Sequence, residues 1–335
     1  MRVQNQHIRA GFLSPAFIAL TLAGAFWAFS ARAQGWPQKP ITMVVSNGPG
    51  SAPDTMARLL ASRLEPLLGQ SVIVEDKPGG SNAIGAMAVA HAPPDGYRLF
   101  FATSSALAAN PFLTKDLPYD PLRDFRPVAF INISHNYILV HRDVPARTLR
   151  ELIALDQKTP GAYSLAVDGP RNLAGITGQV LNFRAGSKFV LVSYPNIMNG
   201  VQDLMAGRVQ AGVFPVAITQ PAVEDGVLRP IAVTAVKRMR AYPDIPAASE
   251  LLPGFDFSGW FLVMAPAGTP DDIIMKLNGA FAKAMRDPQV IAMGPKLGYE
   301  YEEGGVGSPA SAAAFLNQQI EYWRKITSDL GIKPE

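Results

Sequence analysis

Short apolar runs alternate with helix-period patterns along most of this chain, and few folds accept that alternation. Ile41 to Val45 is the first run, and Met56, Leu59, Leu60, Leu64, Leu67 and Leu68 then recur at three- and four-residue spacing. Ser71 to Val74, Leu99 to Ala102, Val128 to Ile133 and Tyr137 to Val140 read as strands, with a helix at Ile84 to Ala90. A second series opens at Thr148 to Gln157, where Thr148 and Glu151 have capping-box spacing. Strands at Ser164 to Val167, Phe189 to Val192, Val209 to Phe214 and Leu228 to Val233 alternate with helices at Leu173 to Phe183, Met198 to Ala206 and Thr219 to Glu224. Trp260 to Ala265 is one more strand, followed by helices at Asp271 to Met285 and Pro309 to Leu330. This order predicts an α/β fold with parallel sheets, and its two series predict two lobes. Ligands in open α/β sheets lie beyond the carboxyl ends of strands. The loops at 46–54, 103–106 and 168–172 are such ends and come from both halves, so a cleft between lobes would collect them.

The loop Ser46-Asn47-Gly48-Pro49-Gly50-Ser51-Ala52-Pro53-Asp54 joins the first strand to the first helix. Asp54 stands where an N-cap is expected. A small-residue loop at a helix N-terminus offers backbone N–H donors and the positive end of the helix dipole, which suits an anion. The alternative is that glycine and proline only turn the chain.

The first 33 residues read as a cleaved secretory leader: Arg2, His7 and Arg9, an uncharged apolar stretch from Gly11 to Phe29, then Ala31-Arg32-Ala33. A retained anchor is the alternative, since the apolar stretch approaches spanning length. Removing the leader takes three of the 30 basic residues and none of the 27 acidic ones, so the rest is electrically balanced. A balanced body without a basic run argues against nucleic acid as a partner. With 48% apolar residues the chain can build a large core, and without cysteine it has no thiol chemistry, iron–sulfur cluster or cysteine zinc site.

The usual catalytic signatures are missing: GxSxG, GK[ST], HExxH and GxGxxG do not occur. His135 and His141 lack a neighbouring third donor for a metal, and His91 reads as a surface residue. Glu302-Glu303 and Asp271-Asp272 are adjacent pairs that would not face each other on a helix. Tyr194 either lines the cleft or packs half-buried, and Trp260 reads as core or hinge packing rather than a ligand platform. No cofactor and no metal are expected.

A succession of short motifs resembles the Bug family, the extracytoplasmic solute receptors of tripartite tricarboxylate transporters. Trp36-Pro37-Gln38-Lys39-Pro40-Ile41 is similar to the family's start, and Asp54-Thr55-Met56-Ala57-Arg58-Leu59 to its first helix. Leu68-Gly69-Gln70, Val74-Glu75, Lys77-Pro78-Gly79, Pro94-Asp95-Gly96-Tyr97, Asn110-Pro111, Leu117-Pro118-Tyr119-Asp120-Pro121 and Asp124-Phe125 follow in order. Later come Ala265-Pro266-Ala267-Gly268-Thr269-Pro270 and Ile274 with Leu277-Asn278.

The resemblance implies a two-lobed type II periplasmic binding protein fold with the ligand cleft between the lobes. It also implies a small carboxylate ligand held largely by backbone amides, and membrane subunits of a transporter as partners. Lobe one is expected at 36–135 and 256–335 and lobe two at 136–255, with hinges near His135 to Val140 and Gly254 to Trp260. The residues assigned to the ligand are Asn47, Gly48, Gly50, Ser51, Ala52 and Asp54, then Ser104 and Ser105, then Asp168, Arg171, Asn172, Tyr194 and Pro215. The family's Pro-Phe-x-x-Gly-Gly loop reads Ser46-Asn47-Gly48-Pro49-Gly50-Ser51 here, and its Phe-Asp-Asn reads Phe214-Pro215-Val216. Losing that aspartate disfavours a ligand with an ammonium group and favours a simple mono- or dicarboxylate, aromatic ones included. Arg171 either pairs with a second carboxylate through its planar fork or is a surface arginine. The protein is expected to act as a monomeric, non-enzymatic periplasmic receptor. A receptor that presents its ligand to a sensor kinase and a secreted enzyme on the same fold are the alternatives.

Overall fold

The structure, a computed structural model, describes residues 35–194, 196–301 and 305–335. The expected leader, Pro195 and the Glu302-Glu303 pair lie outside the described residues. The chain runs β1 (Ile41–Val45), α1 (Ala52–Leu68), β2 (Val72–Asp76), α2 (Ala83–Ala90), β3 (Arg98–Thr103), a π-helical turn (Ser105–Ala109), α3 (Asn110–Leu113) and β4 (Phe125–Ser134). Next come β5 (Asn136–His141), α4 (Leu149–Lys158), β6 (Ser164–Val167), α5 (Leu173–Ala185), β7 (Val190–Ser193), α6 (Ile197–Met205), β8 (Ala211–Pro215), α7 (Val216–Glu224) and β9 (Leu228–Val233). The remainder is β10 (Gly259–Pro266), α8 (Asp271–Ala284), α9 (Pro288–Lys296), β11 (Tyr299–Glu300) and α10 (Pro309–Asp329).

The strands form two sheets, β11-β4-β10-β3-β1-β2 and β7-β6-β8-β5-β9. Within them β1 is parallel to β2 and β3, and β6 is parallel to β7 and β8. The expectation of parallel sheets fails at the strands that carry the chain from one sheet to the other. β4 passes to β5 through His135 alone, and β5 runs antiparallel to both β8 and β9. β10 starts level with the ends of β3 and β4, with Phe261 opposite Thr103 and Gly259 opposite Ser134, so it runs against both. A parallel neighbour requires a crossover that returns the chain to the starting edge, and neither connection makes one.

Ile41, Met43, Val44 and Val45 are fully buried, as a strand covered on both faces requires. Helix α1 buries Met56, Ala57, Leu60, Leu64 and Leu68 on one stripe. It stops where Gly69 adopts a left-handed φ of 70° and its N–H meets the Glu65 carbonyl. Helix α2 lies so close to the end of β1 that a Cβ on Gly85 would stand 2.8 Å from the Ser46 Cβ. That approach ties the second small-residue loop, at 78–82, to the first.

Candidate functional site

The loop after β1 is held by its own groups, and these decide which amides remain for a guest. Ser51, not Asp54, is the N-cap of α1, and its Oγ accepts from the Asp54 N–H at 3.4 Å. The helix starts earlier than expected because Pro53 suits its first turn, where no donor is needed. The Asp54 carboxylate turns back and accepts from the Gly50 N–H at 2.8 Å, a reach like that of a capping box. Gly50 sits at φ 77°, a conformation that favours glycine. The Ser51 N–H goes to the Gly48 carbonyl at 3.2 Å. Two expected donors, Gly50 and Ser51, are therefore satisfied within the loop. The amides of Asn47, Gly48 and Ala52 have no acceptor among the described residues. Asn47 Oδ1 is shielded from solvent and also lacks a partner among them. Behind the loop Arg58 meets Asp54 at 2.7 Å and Asp76 at 2.7 Å. Burial, and then the charge of Asp54, raise the Asp76 pKa.

Several contributors were missing from the sequence expectation. Ser46 Oγ donates to Asn82 Oδ1 at 3.0 Å, and Asn82 opens α2 in a left-handed conformation with φ 75°. Tyr299 Oη donates to the Ala52 carbonyl at 3.1 Å, at the first residue of α1. Nothing in the spacing of Pro78 to Asn82 points at Ser46.

Ser104 is buried, and neither its Oγ nor that of Ser105 has a partner among the described residues. The π-helical turn that follows is braced from three sides. Thr103 Oγ1 accepts from the Ala106 N–H, Tyr119 Oη donates to the Ala106 carbonyl at 2.6 Å, and Asn110 Nδ2 donates to Tyr119 Oη and the Ser81 carbonyl. Such turns recur at functional sites because the wider backbone re-aims the residues beside it. Burial pushes the Tyr119 phenol up to about 12, so it stays a neutral donor.

In the second sheet the loop after β6 closes over the start of α5. Asp168 Oδ1 accepts from the Gly175 N–H at 3.2 Å and Asn172 Nδ2 donates to the Asp168 carbonyl at 3.0 Å. A Cβ on Gly175 would stand 1.7 Å from the Gly169 carbonyl oxygen, so only glycine permits this closure. Burial pushes the Asp168 carboxyl up to about 6, partly offset by the backbone N–H groups it accepts from. The folded chain thus holds that proton more tightly than the unfolded chain. The contribution of this one group to stability is expected to fall as pH rises from about 4 to about 6 and then level off. Asp168→Asn should remove that decline in urea titrations across this range; an unchanged slope would place its cause elsewhere.

Arg171 is partly exposed and is engaged by groups of the chain itself. Its guanidinium donates to the Leu113 carbonyl at 2.8 Å and the Lys333 carbonyl at 3.0 Å, and pairs with Glu335 at 2.6 Å. Tyr194 Oη donates to Asp203 Oδ2 at 2.9 Å, and its ring and that of Phe214 both lie beside Gly200. Pro215 ends β8, and its carbonyl accepts from Thr219 Oγ1 at 2.9 Å. At Gly259, the first residue of β10, the end of the first sheet comes beside the start of α5. A Cβ there would lie 3.7 Å from Ser104 Oγ and 3.5 Å from Leu173 Cδ2, the first residue of α5.

A family profile described as "Tripartite tricarboxylate transporter family receptor" matches residues 56–332. The chain belongs to this receptor family. A UPF0065 protein of Bordetella bronchiseptica is 36% identical over 326 residues, covering 97% of this chain and 94% of that protein. Protein BugT of Bordetella pertussis is 30% identical and covers 95% of this chain and 97% of its own length. Among solved structures, an R. palustris protein with adipate is 30% identical with a TM-score of 0.80, covering 90% of this receptor and all (100%) of that chain. The periplasmic binding protein BugD is 28% identical with a TM-score of 0.78, over 90% of this receptor and 100% of that chain. MatC of Rhodopseudomonas palustris, with bound malate, is 27% identical with a TM-score of 0.76, over 87% and 99%. This receptor therefore has the two-lobed α/β fold of periplasmic binding proteins, and its relatives in the family are solute-binding proteins.

Proposed function

We propose that this chain is a periplasmic receptor that captures a small carboxylate between its two lobes and delivers it to the membrane subunits of a tripartite tricarboxylate-type transporter, without chemical turnover. The observation that carries this reading is the set of amides at Asn47, Gly48 and Ala52, which lack acceptors among the described residues at the N-terminus of α1. Such a group binds an anion by direct N–H donation and by the dipole of the 17-residue helix behind it. The solved relatives with adipate and malate support a carboxylate as guest. We place lobe one on the first sheet and lobe two on the second, with the chain crossing near His135 and again before β10. Ser104 and Ser105 stand at the base of the cleft, and the 168–172 loop meets the ligand as the lobes close. The receptor acts as a monomer.

A melting screen of the mature protein against carboxylates and their uncharged amides tests this. A ligand at about a hundred times its Kd adds roughly 2.7 kcal/mol. A carboxylate should raise the transition while its amide leaves it unmoved, and the ligand should be recovered unaltered. Equal shifts from the amides would overturn the anion site.

A further inference from the structure

The second lobe's expected contacts carry charge in an unexpected arrangement. Their one cation, Arg171, is committed to the Leu113 and Lys333 carbonyls and to Glu335. Tyr194 donates its hydroxyl to Asp203, and Pro215 has no N–H to give. The loop's remaining charge is Asp168, whose carboxylate occupies the start of α5 by accepting from the Gly175 N–H. An incoming anion would look for donors at that helix end, and the chain's own carboxylate already stands there. A second ligand carboxylate would meet that charge with no cation among the second lobe's expected contacts left to offset it. A hydroxyl or an ammonium could instead donate to the carboxylate's open lone pairs.

Resting on the carboxylate reading above, we infer that this receptor selects a monocarboxylate whose far end carries a hydrogen-bond donor facing Asp168, and rejects dicarboxylates. Asp168 restores to the cleft the negative charge that Pro215 leaves out. The ammonium disfavoured on the sequence therefore returns as an acceptable donor beside the hydroxyl. No charged side chain among the described residues pairs with Asp168, since Arg171 is turned to Glu335.

The test is calorimetry with sets of equal chain length from three to six carbons. Each set holds a dicarboxylate, an ω-hydroxy acid, an ω-amino acid and the unsubstituted acid. At one length the wild-type receptor should bind the hydroxy or amino acid at least about tenfold more tightly than the dicarboxylate. Asp168→Asn keeps an acceptor for Gly175 and removes the charge, so it should bring the dicarboxylate level or ahead. If the natural donor is an ammonium, the variant should lose the amino acid more than the hydroxy acid; a hydroxyl donor predicts little difference between them. The wild-type protein supplies a check that does not depend on the variant's folding. Its preference against the dicarboxylate should grow between pH 5.5 and 7.5, beyond the change that the free dicarboxylate's own second ionisation accounts for, as Asp168, whose pKa lies at about 6, ionises. A wild-type preference for the dicarboxylate, or a ratio unmoved by both the variant and pH, overturns the inference while leaving the carboxylate receptor standing. If no carboxylate of any set binds, both readings fall together.

Discussion

Replacing Ser51 with aspartate is expected to weaken carboxylate binding by at least about a hundredfold without unfolding the protein. Aspartate is as good an N-cap as serine, so it can still accept from the Asp54 N–H. Its added charge would stand beside the free Ala52 amide, where the guest's charge is proposed to rest. Two like charges about 4 Å apart at a partly solvated site repel by roughly 4 kcal/mol, enough for a loss of that size. Asp54 does not already block the site, because Arg58 neutralises it from behind at 2.7 Å. Ser51→Asn, which caps equally well and adds no charge, should bind within a few-fold of wild type. Titration of both variants with a binding carboxylate decides the matter: equal losses would mean the loop shape matters and its charge does not, and full binding by both would remove the loop from the site.

Trp260→Ala is expected to lower stability by about 3–5 kcal/mol, the range for emptying a buried aromatic site. Trp260 is 2% exposed, its Nε1 donates to Gln319 at 3.1 Å, and its ring meets Phe315 edge-on at 5.2 Å. It belongs to β10, paired through Trp260 to Ile133 of β4, one residue inside the Gly259–Ser134 pair. At about 2–4 °C per kcal/mol for chains of somewhat smaller size, the melting temperature should drop by roughly 10 °C. Trp260→Phe keeps a ring against Phe315 and gives up the Gln319 bond, so it should cost much less. A ligand platform would show the opposite pattern in melting and binding experiments, with stability preserved and affinity lost.

Much of the architecture is legible in local pattern. The strands and helices fall in the expected order because each is built from periodicity within about twenty residues. The cap at Gly69 and the box at Thr148 are readable for the same reason, and Thr148 Oγ1 does accept from the Glu151 N–H. Helix α9 is absent from the expected elements although Asp287-Pro288 is a start signal, with the Asp287 side chain accepting from the Gln289 N–H. Pro295 within it hid the pattern.

The site was less legible than the fold. Its loops could be placed at strand ends, but which of their groups remain free is settled by contacts inside each loop, such as Asp54 with Gly50, and by partners far away in the chain. Ser46 meets Asn82 across 36 residues, and Arg171 meets Lys333 across 162. The sequence by itself determined an α/β chain with polar, small-residue loops at its strand ends, because hydrophobic periodicity and turn chemistry are properties of neighbouring residues. Only the tertiary structure decided that Ser46 meets Asn82, that Tyr299 reaches the Ala52 carbonyl, and that Arg171 is spent on Leu113 and Lys333. Each of these is a competition among donors and acceptors for the same few ångströms, and its outcome depends on how the folded chain brings them together.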